Sequence, residues 1–309
     1  MADIGPLSFR TEMPASSWSL ARTPPAIAPG QHNLLGSSDP GDIAREPFAH
    51  LLRRGALPEG NYAILQDSFP SLETILAGRR IDAGNAAVRL SAIDILRNPR
   101  IGSEWRDFFA FHTSADFWAE IVRVFGPFIR NTYPQIEQRF GRPLEELRVG
   151  LRGRDESADI RLDCQFVMNT PGTERSSVKT PHVDKRQTIF SGLFYLRDAA
   201  DETQGGDLDL YAWKRRPRFL TYRMILPGDI EHRLRVAYAA NTMICFVNTP
   251  QAVHGVSARE PALVPRRYIN LIAELPFHLF SATYIGLPAR LWHWRQAAQI
   301  RRRQVGSDY

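Results

Sequence analysis

Two textures of hydrophobic patterning meet near residue 150. From about 43 to 148, apolar residues recur mostly at helical spacing. The clearest case follows Ser114, which suits an N-cap with Asp116 in the first turn. Phe117, Ile121, Val124 and Phe128 share one spacing, and Trp118, Val122, Phe125 and Ile129 share the next. So broad a stripe predicts a helix packed on a sheet, with its aromatics in the core. Between the helical stretches, "NYAILQ" and "AAVRL" read as short extended pieces.

After about 150, short runs alternate or are compactly apolar: "DIRLDCQFVMN", "QTIFSGLFYL", "GDLDLYAW", "RFLTYRMIL", "NTMICFV" and "RRYINLIAEL". Gly205-Gly206, Pro227-Gly228 and Asn248-Thr249-Pro250 mark turns between them. Many short strands without intervening helices predict a sandwich, barrel or jelly roll. Residues 1–42, rich in Pro, Ser and Gly, read as an irregular N-terminal arm. The expected division is this arm, a mainly helical part over 43–150, a β core over 151–275 and a C-terminal basic helix within 276–309, all in one compact domain. Leu291, Trp292, Trp294 and Ala298 give that last helix an apolar side, for packing, a lid or a homodimer contact.

Composition narrows the partners. The 309 residues are 43% apolar and 23% charged, within the range of soluble globular proteins. The net charge of +6 comes with no nucleic-acid module signature, so nucleic acid is not expected; the charge is equally consistent with an anionic small-molecule substrate, an acidic partner protein or plain surface arginines. Cys164 and Cys245 sit in apolar stretches and read as reduced, buried thiols. No apolar run approaches the ~20 residues of a membrane span, and the N-terminus lacks a signal-peptide pattern. A cytoplasmic protein with no membrane partner is expected.

One stretch, "TPHVDKRQ", carries candidate chemistry. In an extended chain alternate side chains share a face, so His182 and Asp184 point the same way. Alone the pair is as consistent with a wet surface as with half a metal site. His254, 72 positions on in "CFVNTPQAVHGVS", is a candidate third ligand. Two histidines and one carboxylate make the facial triad of non-haem Fe(II) oxygenases. In "RRYINLIAEL", alternation puts Arg267 with Ile269, Leu271, Ala273 and Leu275, and Arg266 with Tyr268 and Asn270. Arg267 thus shares the apolar, inward side, where a guanidinium needs an anion such as a small-molecule carboxylate, or a structural acid from another strand.

The order H-x-D, about seventy residues, His, then Arg about a dozen residues on, resembles the 2-oxoglutarate- and Fe(II)-dependent dioxygenases, and most closely their prolyl-hydroxylase-like branch. "PHVDKRQTIFSGLFYLRD", "GGDLDLY", "NTMICFVNTPQAVHGV" and "RRYINL" stand in the family's order over roughly 160–275. The resemblance implies a mainly β, α+β fold: a double-stranded β-helix (jelly-roll, cupin-like) core with helices packed on one sheet. It implies Fe(II) on His182, Asp184 and His254, with 2-oxoglutarate and O2 as co-substrates. Arg267 would grip the 5-carboxylate of oxoglutarate, with Arg266 as rival. Gln165, Asn169 and Tyr195 are further candidate contacts to the cofactor, or polar and core residues without that role. Asp184, a carboxylate where halogenating relatives carry a small residue, points to hydroxylation with release of succinate and CO2. Desaturation or ring closure uses the same triad. A protein side chain or glycan as substrate, and a non-catalytic cupin-like binding module, are the competing readings.

Overall fold

Ser114 caps the helix that the sequence marks most clearly: its hydroxyl accepts from the Phe117 amide at 3.3 Å. That helix is one of six in a computed structural model, which describes residues 32–81, 84–221 and 224–287. In chain order the elements are β1 (His50–Arg54), α1 (Glu59–Asp67), α2 (Leu72–Leu76), β2 (Ala87–Ser91), α3 (Ala92–Ile95), α4 (Ser103–His112), α5 (Ala115–Thr132) and α6 (Gln135–Phe140). The strands β3 (Val149–Leu151), β4 (Ile160–Asn169), β5 (Thr188–Tyr195), β6 (Leu208–Trp213), β7 (Ile230–Val236), β8 (Thr242–Val247), β9 (Val253–Val256) and β10 (Arg266–Glu274) follow.

The strands form two sheets. The larger runs β1-β8-β5-β10-β4-β2, with β3 beside β4, and the smaller runs β7-β6-β9. Every pairing is antiparallel except β3 with β4. The segment around His182 extends the smaller sheet by bridging His254 on one side and Met224 on the other.

Alternation along the strands sorts side chains into two cores. Phe166 and Met168 of β4, Phe190 and Phe194 of β5, Met243 and Cys245 of β8, and Ile269 and Leu271 of β10 pack against the helices. Trp105, Phe108, Phe109, Phe117, Trp118 and Phe125 meet them from α4 and α5, so the helical stripe does cover a sheet. Val167, Tyr195, Ile244, Phe246 and Tyr268 point the other way, toward Leu208 and Leu210 of the smaller sheet. Cys164 and Cys245 are both free and buried.

Three sequence expectations change. "NYAILQ" lies within α1, where Tyr62 and Leu65 turn one helical face inward. "RFLTYRMIL" forms no regular strand among the described residues. Its Phe219 and Ile225 are apolar because they pack on Val183, Ile230 and Val253. The strand that follows, β7, escaped notice because its middle residues are exposed, leaving little hydrophobic signal. Residues 276–286 run irregularly, and the expected helix beyond lies outside the described residues, as do residues 1–31 of the arm. No helix among the described residues is long and apolar enough to cross a membrane.

Candidate metal centre

His182 and His254 are brought together by main chain. The His182 amide donates to the His254 carbonyl at 2.9 Å, and the His254 amide returns the bond at 3.0 Å. A reciprocally bonded antiparallel pair puts both side chains on one face, and the imidazole centroids lie 4.3 Å apart. Gly255 allows this approach, because a Cβ there would stand 3.1 Å from the Pro181 nitrogen and 3.3 Å from the Thr180 carbonyl carbon. Asp184, two residues after His182, places Oδ1 3.8 Å from His182 Nε2 and 3.9 Å from His254 Nε2.

The outer atoms of the three residues are also committed. His182 Nδ1 lies 2.8 Å from the Thr180 carbonyl, and His254 Nδ1 lies 3.0 Å from the Ala252 carbonyl. A carbonyl can only accept, so Nδ1 of each ring donates there, and Nε2 is the ring nitrogen left on the Asp184 side. Ser191 donates its hydroxyl to Asp184 Oδ2 at 2.6 Å. Two Nε2 nitrogens and one carboxylate oxygen thus converge within 4.8 Å of one another. This donor set, two imidazole nitrogens and one carboxylate oxygen, would fit a divalent metal of the iron group.

The remaining expected residues divide. Arg267 faces the helical layer: its Nη2 pairs with Asp198 at 2.9 Å, Nε donates to the Leu196 carbonyl, and the guanidinium stands over the Phe69 ring. Arg266 is the arginine between the sheets. It is 2% exposed, and its guanidinium carbon lies 4.5, 4.7 and 5.1 Å from the ring centroids of Tyr268, Tyr238 and Tyr195. Arg267 shares the buried apolar side of Ile269 and Leu271, as alternation predicts, and its anion there is the structural acid Asp198. Both sides of the strand are buried, and its apolar side meets helices.

Asn169 stands opposite Arg266 in the β4–β10 register and is fully buried. Its amide oxygen and nitrogen, the Tyr195 hydroxyl and Arg266 Nε have no hydrogen-bond partner among the described residues. Burial pushes the Tyr195 phenol well above the ordinary tyrosine range. Gln165 is engaged elsewhere, donating to Asp163 at 2.7 Å and accepting from Asn270 at 3.3 Å. Sequence reasoning missed Ser191, Tyr238 and Tyr268. Period-two alternation from Tyr195 back through Leu193 marks Ser191 as inward, and the same count from Arg266 marks Tyr268.

No family model matches the sequence, and no curated protein sequence matches it. Solved structures do match. A Pseudomonas putida prolyl-4-hydroxylase is 12% identical with a TM-score of 0.41, covering 73% of this chain and 92% of its own. A Phytophthora capsici prolyl 4-hydroxylase is 12% identical with a TM-score of 0.47, covering 92% of this chain and 79% of its own. The epimerase SnoN, solved with Fe3+, alpha-ketoglutarate and nogalamycin RO, is 15% identical with a TM-score of 0.42, covering 73% and 78%. By their descriptions these neighbours are two prolyl 4-hydroxylases and a non-haem alpha-ketoglutarate-dependent epimerase. Similarity this low assigns no chemistry, which has to come from the side chains.

Proposed function

We propose that the protein is an Fe(II)- and 2-oxoglutarate-dependent oxygenase that hydroxylates a C–H bond of a small-molecule or carrier-bound substrate. The observation that carries this reading is the convergence of His182 Nε2, His254 Nε2 and Asp184 Oδ1, with each Nδ1 turned away onto a main-chain carbonyl. The strand order supports it. With β4, β10, β5 and β8 adjacent in one sheet, and the His182 segment, β9, β6 and β7 adjacent in the other, the strand order is consistent with the double-stranded β-helix that this reading calls for.

In this reading His182, Asp184 and His254 would hold the iron. Iron and oxoglutarate bound there would supply oxygen activation coupled to oxidative decarboxylation, releasing succinate and CO2. Arg266, not Arg267, binds the distal carboxylate of oxoglutarate. It is buried, it lies between the sheets, and the orphaned atoms of Asn169 and Tyr195 belong to the same lining. A carboxylate arriving there meets a guanidinium and hydrogen-bond donors already stripped of water, so little reorganisation opposes binding. The three tyrosine rings keep the guanidinium buried until the anion comes.

Anaerobic titration with Fe(II) and oxoglutarate tests the proposal through the weak visible charge-transfer band of the chelate. Wild type shows the band, and His182→Ala removes it. No band in wild type, or an undiminished band in the variant, overturns the assignment. Arg266→Ala raises the oxoglutarate concentration needed for the band, and Arg267→Ala leaves it nearly unchanged. The reverse result returns the role to Arg267.

A further inference from the structure

Each of the three metal-facing side chains is steadied from behind, but by different kinds of group. For both histidines the partner is a main-chain carbonyl two residues earlier, Thr180 or Ala252. No side-chain substitution removes either one. For Asp184 it is a side chain, the hydroxyl of Ser191, at 2.6 Å.

We propose that Ser191 is the positioning residue of the metal centre. By donating to Oδ2 it fixes the Asp184 carboxylate so that Oδ1 alone faces the two Nε2 atoms. The inference rests on the metal-centre reading above and adds a determinant to it. Three observations support it.

First, the terminal torsion of an aspartate is broad and roughly two-fold, so an unheld carboxylate swings and presents either oxygen. Asp184 belongs to no regular strand and is 24% exposed, so the hydroxyl supplies order that its backbone does not. Second, Ser191 is itself well held. It lies in the middle of β5, 6% exposed, opposite Phe246 of β8 and Ile272 of β10. Third, the same row steadies a second ligand, since the Phe246 ring packs 4.9 Å from the His254 ring. One cross-strand row thus supports one ligand by a hydrogen bond and another by packing. Partners behind a metal ligand commonly change affinity 10- to 100-fold when removed.

Threonine and valine share a shape and differ in the hydroxyl, so the pair separates hydrogen bonding from packing. Mn(II) alone, added to the full chain and followed by electron paramagnetic resonance, is the probe. Denaturant unfolding of each variant verifies that it is folded. Ser191→Thr is expected to keep Mn(II) affinity close to wild type. Ser191→Val is expected to weaken it about 10- to 100-fold. In an Asp184→Ala background the exchange of Ser191 for valine changes nothing further, because the hydroxyl then has no carboxylate to aim. Equal Mn(II) affinities for the threonine and valine variants overturn the role of Ser191 while leaving the metal centre standing. A wild-type protein that does not bind Mn(II) overturns the metal centre, and this inference with it.

Discussion

On the helix side of the larger sheet, Phe166 is packed by Phe69, Trp105 and Phe109 with ring centroids 4.7–5.1 Å apart. On the opposite side of β4, β5 and β10, the side chains facing the smaller sheet include Ser191, bonded to Asp184, and Tyr195, Asn169 and Arg266, which carry polar atoms without partners among the described residues. The strands are the same, and period-two alternation alone separates the two sides. The helix side has apolar area and interlocking rings, which stabilise. The inter-sheet side has buried polar groups, which cost stability unless something binds them. Adhesion and chemistry can therefore be perturbed separately.

The largest expected effect is on adhesion. Phe166→Ala should lower unfolding free energy by about 3–5 kcal/mol, because rigid neighbours cannot collapse into the space. If the two sides are independent, Mn(II) affinity of the folded variant stays at the wild-type value. A matching loss of affinity would show that the sides are coupled. On the other side the sign should reverse. Arg266→Met replaces a buried charge with an apolar chain of similar reach, and should raise unfolding free energy by about 1–4 kcal/mol without oxoglutarate. The same variant should lose the extra stability that oxoglutarate confers on wild type. Denaturant melts with and without the ligand test both halves.

A smaller effect should come from pH. His112 packs on Phe108 in the helical layer, and burial pushes its pKa down from 6.5 to about 3. Between those values the unfolded chain binds a proton at this position and the native protein does not. Stability therefore falls as pH falls through the window, by up to about 1.4 kcal/mol per pH unit from this group. His112→Leu should flatten the slope between pH 6.5 and 4 in equilibrium unfolding. An unchanged slope would place the acid sensitivity in other residues.

Much of this was legible beforehand. The Ser114 cap, the two-sided stripe of α5 and five of the six expected strands are written in residue type and spacing, because caps and periodicity are local. The nearness of His182 and Asp184 was legible for a related reason, since alternate residues of an extended chain share one face, whereas His254 joins them only through a tertiary bridge. The arginine was not. Alternation assigned Arg266 and Arg267 to opposite sides, but a sheet buried on both sides offers no polar side to mark the outside. The apolar company of Arg267 faced helices. The hydrophobic segment before β7 misled similarly, since Phe219 and Ile225 pack as a loop on Val183 and Val253.

Sequence alone determined the ingredients: a helical layer, a run of short strands, two adjacent candidate ligands and a third histidine far along the chain. The tertiary structure decided which side of β10 looks onto the smaller sheet, and so placed Arg266 among three tyrosines. It also decided that Ser191, seven residues after Asp184, returns to within 2.6 Å of the carboxylate. Periodicity is a property of one strand, whereas inside and outside are set only when a second layer packs against it.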